Sequence, residues 1–383
     1  MLEYAKGMLP VLLKLEKAWN QPITINVDTS SACNLSCKMC FRSQDYYEEK
    51  QRIFLTTATL HKLYDQFQPK ILIFGGITAE PLMNKEIGEL VAIAHSHKSR
   101  TIMSTNGQLM SEEKAYTLIR NGINLVKFSV DAATPATYQK IRGSDFDHLV
   151  GNIRRFIAIQ KELKISRQLA RLDFVIQKDN LDDIIPFLKL NRDLGLHFAG
   201  FLPVNFKQFT QESVADFRQG YNVAKIISIL RKAADKAREY GVKTNLEALL
   251  RGADKIGAAE SYEPAMDDYY LPWYKYTRAR DYLCLYPWLQ LAVLVNGDVS
   301  ICCDTFGYNV FNEGGGEREK GLVLGNIHHD DLRALWNGKK LRMIRRMFKN
   351  GENLQKFKSC KGCIYKLNIF YEIRMNNLFS TLR

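Results

Sequence analysis

The sequence contains no uninterrupted run of about 20 apolar residues, the length that a helix needs to cross a membrane. Residues 1–20 carry lysine and glutamate among their apolar positions, which predicts an amphipathic N-terminal helix rather than a signal peptide or an anchor. Cysteine is also scarce, since the eight in 383 residues are too few for a disulfide-stapled scaffold. We therefore expect a cytoplasmic protein without a membrane partner, whose reduced thiols bind metal or take part in chemistry.

The composition shows no strong bias either. Hydrophobic residues make up 46% and charged residues 25% of the chain, so disorder, collagen-like repeats and coiled coils are disfavoured. A chain of 383 residues can bury a core of roughly 200 to 250 residues and carry an appended module. The net charge of +13 favours an anionic substrate or a nucleic acid as the partner, although metal-bound thiolates would offset part of that charge.

Apolar runs alternate with amphipathic stretches from about residue 20 to residue 240, a pattern that predicts repeated βα units and a parallel sheet. Six strands are predicted, over residues 23–28, 71–76, 101–104, 125–131, 171–177 and 197–204. Helices long enough for right-handed crossovers are predicted over residues 55–67, 86–97, 111–121 and 149–163. We expect an α/β fold in which residues 21–240 form a partial (β/α)6, TIM-like barrel with functional groups in the loops after the strands.

The periodic pattern stops after this core. Residues 241–283 are predicted to form a linker, because they are aromatic-rich and show no helical or strand period. A hairpin with strands over residues 289–295 and 299–302 follows, turned by an Asn-Gly pair, and then a helix over residues 331–349. These elements predict a small α+β domain over residues 284–383.

Three cysteines, Cys33, Cys37 and Cys40, lie directly after the first predicted strand with the spacing C-x3-C-x2-C. Three thiolates can hold one metal centre, but they leave one ligand short of the four that a tetrahedral zinc or a 4Fe–4S cube needs. In a cube, the missing ligand leaves one iron open to a substrate. A zinc knuckle with a distant fourth ligand, or three buried thiols, would show the same spacing.

Polar residues also follow the next three predicted strands. Glu80 comes after a glycine pair, and its carboxylate suits a positive amine while the glycines let the backbone approach a ligand. Short polar side chains at strand ends suit ribose hydroxyls, and Arg142 suits a carboxylate. Simpler interpretations are a turn at Asn106, a helix cap at Asp131 and solvent exposure of Arg142. The candidate residues are Glu80, Ser104, Asn106, Ser129, Asp131 and Arg142.

This order of motifs resembles the radical S-adenosylmethionine (SAM) superfamily over about residues 20–205. The resemblance implies that Cys33, Cys37 and Cys40 hold a 4Fe–4S cluster whose open iron binds SAM. It implies that one electron, from a flavodoxin- or ferredoxin-type donor, cleaves SAM to methionine and a 5′-deoxyadenosyl radical that removes a hydrogen atom from the substrate. It further implies that the other candidates bind SAM, with Glu80 at the ammonium. Ala79 departs from the family, which usually has glycine there.

Four further cysteines, Cys284, Cys302, Cys360 and Cys363, lie in two separated segments of the C-terminal region. They resemble the SPASM/Twitch extension of radical SAM enzymes, and the resemblance implies an auxiliary 4Fe–4S cluster held by all four. No cysteine follows Cys363, so we expect one auxiliary cluster and a Twitch-type domain rather than the full SPASM form. A structural zinc has similar ligand demands and is the alternative.

The eighth cysteine, Cys303, neighbours Cys302 on a predicted strand, so its side chain is expected on the opposite face. We interpret Cys303 as a small buried hydrophobe, because free cysteine packs well in protein cores. The alternative is a hydrogen-atom donor to a substrate radical, the part that thiols play in radical SAM epimerases.

The resemblance implies an enzyme that abstracts hydrogen from a small, polar and anionic metabolite, sugar- or aminocyclitol-like, in a net oxidation assisted by the auxiliary cluster. About 20 residues precede the first predicted strand, so we do not expect an N-terminal peptide-binding domain, which favours a metabolite over a peptide or protein side chain. Epimerisation through Cys303 is a further alternative. A zinc-holding nucleic-acid-binding protein is the alternative from another class, but nucleic acid is not the expected partner.

Cluster content is a direct consequence of the cysteine pattern. Anaerobic reconstitution should give about eight iron and eight sulfide per chain, from two cubes. Replacing Cys33, Cys37 and Cys40 together by alanine should halve both numbers, because only the first cube is lost. Zinc at both sites with iron near zero, measured by elemental analysis, would contradict the enzyme hypothesis.

Overall fold

The structure is a computed structural model, which describes residues 9–10, 13, 15–40, 42, 52–75, 79–204, 222–255, 271, 284–302, 322–352 and 360. The strands of these segments form one sheet in the order β10-β9-β8-β1-β2-β3-β4-β5-β6-β7. Their bounds are β1 Thr24–Asp28, β2 Ile71–Gly75, β3 Arg100–Thr105, β4 Leu125–Ser129, β5 Ala170–Ile176, β6 Phe198–Pro203, β7 Lys243–Thr244, β8 Gln290–Val293, β9 Asp298–Ser300 and β10 Val323–Asn326.

Most helices begin at a side chain that caps a free backbone N–H. Thr56, Ser111, Thr134 and Asp145 each accept a bond from the N–H three residues later. The helices are α1 Thr57–Tyr64, α2 Ile87–Ser96, α3 Glu112–Arg120, α4 Pro135–Arg142, α5 Phe146–Glu162, α6 Ile184–Asp193, α7 Val223–Glu239, α8 Leu246–Leu250, α9 Tyr286–Leu289, α10 Leu332–Trp336 and α11 Lys339–Lys349.

Strands β1 to β7 are parallel and lie in chain order, so the sheet stays open and forms the expected partial barrel. The six predicted strands and the predicted α/β class are confirmed. The short β7, Lys243–Thr244, falls within the residues predicted as linker, where a two-residue strand leaves no periodic signal. The boundaries predicted at residues 20, 240 and 283 stay predictions.

Right-handed crossovers between sequential parallel strands place the connecting helices on one face of the sheet. Phe128 of β4 lies on this face, and its ring is 5.6 Å from that of Phe156 in α5. Side chains alternate along a strand, so the next residues lie on the opposite face, which we call the lumen face. Ile71 and Ile102, with Ile73 and Leu125 beside them, form a small apolar cluster apart from the main core, near the strands' starting ends.

The predicted C-terminal hairpin is present, and it continues the barrel sheet. β8 and β9 are antiparallel, with Gly297 in the turn at φ +87°. β8 also pairs in parallel with β1, with Thr24 opposite Gln290. β1 therefore has β2 on one side and β8 on the other, a pairing across distant segments that no local sequence pattern predicted.

Two predicted helices differ from the structure. Residues 15–20 are irregular rather than helical, because the Asn337 side chain bonds both the N–H and the carbonyl of Ala18, at 3.0 and 2.7 Å. The helix predicted over residues 331–349 is divided into α10 and α11 at Asn337, since this side chain is held by the N-terminal segment. Most of residues 1–14 lie outside the described part of the chain.

A fully buried arginine, Arg345 of α11, joins the C-terminal helices to the N-terminal segment. Its guanidinium donates to Pro287 O at 2.8 Å, Glu16 O at 2.9 Å and Asn337 Oδ1 at 3.0 Å. It also lies 4.6 Å from the centre of the Trp336 ring. Burial lowers the pKa of Arg345 to about 9, so the side chain is still cationic at neutral pH.

Replacing Arg345 by methionine should lower the free energy of unfolding by about 3 kcal/mol, because each buried acceptor left without a donor costs roughly 1 to 3 kcal/mol. Chemical denaturation followed by circular dichroism would measure the change. Arg342→Met on the exposed side of the same helix is the matched control and should change the unfolding free energy little. Equal losses in the two variants would show that Arg345 does not join these segments.

Candidate active site

The carboxyl ends of parallel strands meet at one edge of a sheet, and the predicted site residues lie at or after these ends of β1 to β4. Glu80 is buried among them. Its Oε1 accepts bonds from Leu82 N at 3.0 Å and Thr105 Oγ1 at 2.5 Å, and its Oε2 accepts from Asn106 N at 2.8 Å. One carboxylate thus joins the loops after β2 and β3.

These two loops also hold the loop that follows β1 and contains Cys33, Cys37 and Cys40, which we call the cysteine loop. Glu80 N donates to Ala32 O at 3.0 Å, and the Asn106 amide donates to Asn34 Oδ1 at 2.9 Å. The structure therefore brings Glu80, Asn106 and the cysteine loop together, as the order of motifs implied. Residues 76–78 of the glycine-rich segment lie outside the described residues.

Burial raises the pKa of the Glu80 carboxyl, and hydrogen bonds from Thr105, Asn106 and Leu82 oppose this rise. A carboxylate offers about four acceptor positions, and three are used here. A cation at the fourth would stabilise the anion, because an opposite charge offsets the cost of burial. Glu80 therefore fits a ligand ammonium group, and the assignment to SAM stays a prediction.

Asp131 and Arg142 meet beneath the cysteine loop. The Arg142 guanidinium forms an ion pair with Asp131 Oδ2, while Asp131 Oδ1 accepts from Val175 N at 2.6 Å. Arg142 Nη1 also donates to Cys37 Sγ at 3.4 Å. Burial lowers the pKa of Arg142, but the neighbouring Asp131 and Cys37 raise this pKa by a larger amount, so the guanidinium stays charged. The ribose and carboxylate roles predicted for these residues remain untested.

The three thiols of the cysteine loop lie in a poorly solvated environment. Burial raises the pKa of Cys40 to about 11, and burial also raises the pKa of Cys33. Binding to iron supplies the positive charge that would make such thiols ionise. Among the described residues no group of three or more His, Cys, Asp or Glu side chains is arranged around a single metal ion. In a cube, each thiolate binds its own iron.

The two predicted serines lie on the lumen face. Ser104 of β3 is opposite Lys127 of β4, and Ser129 is opposite Asp173 of β5; both serines are half-buried. They lie at the carboxyl ends of their strands, close to the loops that carry Asn106 and Asp131. In this position, both serine hydroxyls are compatible with contact to a bound polar ligand.

Sequence reasoning missed three charged residues of the lumen face, Lys127, Arg171 and Asp173. Lys127 is 7% exposed and pairs in register with Arg171. Arg171 donates two bonds to Asp173, both at 2.7 Å. Asp173 is opposite Gly200, where a Cβ would come within 2.3 Å of Asp173 Oδ1. The sequence signal that could have identified these three residues is a charged residue flanked by apolar residues inside a predicted strand.

Two of the predicted auxiliary cysteines, Cys284 and Cys302, lie at the other end of the sheet. Cys284 shortly precedes α9 and β8, and Cys302 follows β9, which runs antiparallel to β8. Both are therefore at the end where β1 begins, whereas the cysteine loop leaves β1 at its carboxyl end. Cys284, Cys302 and Cys360 are partly buried against the main core. Cys303 and Cys363 lie outside the described residues.

Comparison with protein families agrees with this arrangement. The sequence model of the radical SAM superfamily matches residues 27–190. A second model, SPASM, an iron–sulfur cluster-binding domain, matches residues 284–364. The chain therefore contains a radical SAM domain and a SPASM-type iron–sulfur cluster-binding domain. Its cofactors are accordingly 4Fe–4S clusters and SAM, while the number of auxiliary clusters stays a prediction.

Curated proteins similar to this chain are named for different activities. "Probable GTP 3′,8-cyclase" of Saccharolobus islandicus is 24% identical over 220 residues, which cover 55% of this chain and 68% of the relative. "PqqA peptide cyclase" of Gluconobacter oxydans is 27% identical over 192 residues, or 49% of this chain and 50% of the relative.

A solved structure shares the fold. Streptococcus suis SuiB bound to its precursor peptide SuiA superposes with a TM-score of 0.61 at 16% identity, covering 90% of this chain and 71% of SuiB. In the described segments of the chain, no helix has the length and apolar character required to span a bilayer.

The Glu80 assignment can be tested by binding. Glu80→Gln removes the negative charge but keeps the size of the side chain, and SAM affinity should fall about 10- to 100-fold, as expected when a charge-assisted bond is lost. Anaerobic calorimetry on protein with full iron content would measure the dissociation constant. Glu89→Gln on the exposed side of α2 is the control. Unchanged SAM affinity in Glu80→Gln would remove this assignment.

Proposed function

We propose that this protein abstracts a hydrogen atom from a small polar substrate held on the lumen face, in a net oxidation. The observation that carries this proposal is the set of charged side chains on β4 and β5, between the two ends of the sheet that bear the cysteine groups. Charged side chains held on the inner wall of a barrel offer hydrogen-bond and ion-pair partners to a polar substrate, and they do not favour an apolar one.

The charged side chains can orient a substrate with both anionic and hydroxyl or amino groups. Lys127 and Arg171 are cationic donors, and Asp173 is an acceptor that Arg171 already holds in place. The Arg171 guanidinium is further positioned 5.2 Å from the centre of the Phe198 ring. Groups held in this way keep their direction when a ligand arrives, so less entropy is lost on binding.

The remaining chemistry belongs to the cofactors. When bound, the cluster and SAM supply the radical that removes the hydrogen atom, and the electron comes from a flavodoxin- or ferredoxin-type donor. The protein contributes the position of the target C–H bond and the exclusion of water. We propose that Glu80 and Asn106 would orient SAM above the lumen. The predicted auxiliary-cluster ligands, Cys284, Cys302, Cys360 and Cys363, would hold a cluster that can take up the electron released when the substrate radical loses a proton to give the oxidised product.

A peptide substrate is the second candidate. The similarity to a peptide cyclase over about half of the chain supports it. A peptide would also reach the lumen from the carboxyl edge of the sheet, and the same charged residues could orient one of its side chains. Epimerisation with Cys303 as the hydrogen donor stays a prediction, because Cys303 lies outside the described residues.

The experiment measures 5′-deoxyadenosine formed with dithionite and SAM in the presence of fractionated cell extract. Small metabolites should stimulate formation above the slow background, and peptides should not. Asp173→Asn should weaken the stimulation about 10- to 100-fold in apparent substrate affinity, while background SAM cleavage persists. Asp193→Asn on the exposed α6 is the control. Stimulation by the peptide fraction alone would favour the second candidate, and none from either fraction would contradict the proposal.

A further inference from the structure

The last residue of α4, Arg142, is enclosed by groups that leave it little freedom. It is 9% exposed, with Asp131 on one side and Cys37 on the other. Its Nη1 lies 3.4 Å from Cys37 Sγ, and its Nη2 forms the ion pair with Asp131. Its buried Nε has no hydrogen-bond acceptor within the described part of the chain. Two of the three nitrogens are therefore committed to protein groups.

The backbone around Arg142 fixes this position. Lys38 N, next to Cys37, donates to Ile141 O at 2.8 Å, so the end of α4 is joined to the cysteine loop. Two lysines also meet one carboxylate, with Lys38 Nζ 3.0 Å and Lys140 Nζ 2.8 Å from oxygens of Asp179. These bonds connect the cysteine loop, α4 and the turn after β5, and they hold the end of α4 beside Cys37.

Asp131 is equally constrained. It is fully buried, has a positive φ of +61°, and accepts from Val175 N through the oxygen that does not face Arg142. Its carbonyl accepts from Asn180 Nδ2 at 2.9 Å. This backbone conformation is uncommon for a non-glycine residue, and the two hydrogen bonds hold Asp131 in it. Asp131 is thus built into the wall as the counter-charge of Arg142.

We propose that Arg142 is a positioning residue for the iron–sulfur cluster, which hydrogen-bonds the Cys37 sulfur and would raise the reduction potential of the cluster. Hydrogen bonds to the sulfurs are among the features that set the potential of such clusters. A cation beside the sulfur stabilises the reduced cluster, which carries one more negative charge. Asp131 moderates this effect by balancing the charge. The inference rests on family membership and does not depend on the substrate.

The test is the midpoint potential of the SAM-binding cluster, measured without SAM or substrate by redox titration followed by electron paramagnetic resonance. The signal of this cluster is identified by its change when SAM is added afterwards. Arg142→Gln should make the midpoint potential more negative. Asp131→Asn should make it more positive, because Arg142 then loses its counter-charge. Arg192→Gln, in an exposed ion pair on α6, is the matched control and should leave the potential unchanged.

A fall in SAM affinity in Arg142→Gln, with an unchanged cluster potential, would overturn the proposal and restore the SAM-carboxylate role. Shifts of the same sign in Arg142→Gln and Asp131→Asn would also overturn it, since the two residues would then only support the fold. If Arg142→Gln does not retain iron, Arg142→Lys keeps the charge and a single donor. The midpoint potential of Arg142→Lys should be close to that of the wild type and more negative than that of Asp131→Asn. Equal potentials in Arg142→Lys and Asp131→Asn would overturn the inference.

Discussion

A carboxylate that is removed from water must be hydrogen-bonded or ion-paired. The geometry at the carboxyl edge of this sheet depends on two such buried carboxylates. Glu80 collects donors from the loops after β2 and β3, and Asp131 collects Val175 N and the Arg142 guanidinium. Both carboxylates lie next to the cysteine loop. The loop therefore takes its shape from bonds made to its neighbours as well as from its own three cysteines.

The position of β1 determines where the cysteine loop lies relative to Cys284 and Cys302. It is the one strand in the described sheet that pairs with both the barrel strand β2 and the C-terminal strand β8. Because both pairings are parallel, the cysteine loop lies at one end of the sheet and Cys284 and Cys302 lie at the other. The charged side chains of β4 and β5 lie between these ends. A substrate on the lumen face would thus lie between the two groups of cysteines.

Several features of the site could be predicted from the sequence because they follow from local order. Strand periodicity identified β1 to β6, and Cys33, Glu80, Asn106 and Asp131 each follow a strand at the expected place. The partners of these side chains could not be predicted. Arg142 has the charge to bind a ligand carboxylate, yet in the fold it contacts Asp131 and Cys37. Likewise, Lys127 and Arg171 are ordinary surface residues by type, but the strand register puts them on an inner wall.

The sequence by itself determined the class of protein, because cysteine spacing and the order of strands and loops are properties of the chain read in one direction. It also determined the six parallel strands, since an apolar period is a local property. Only the tertiary structure decided that β8 joins β1, that residues 15–20 are held by Asn337 and Arg345 instead of forming a helix, and that Asp131 neutralises Arg142. These contacts join segments far apart in the chain, and their energies depend on burial and on which groups remain without partners, which local patterns do not encode.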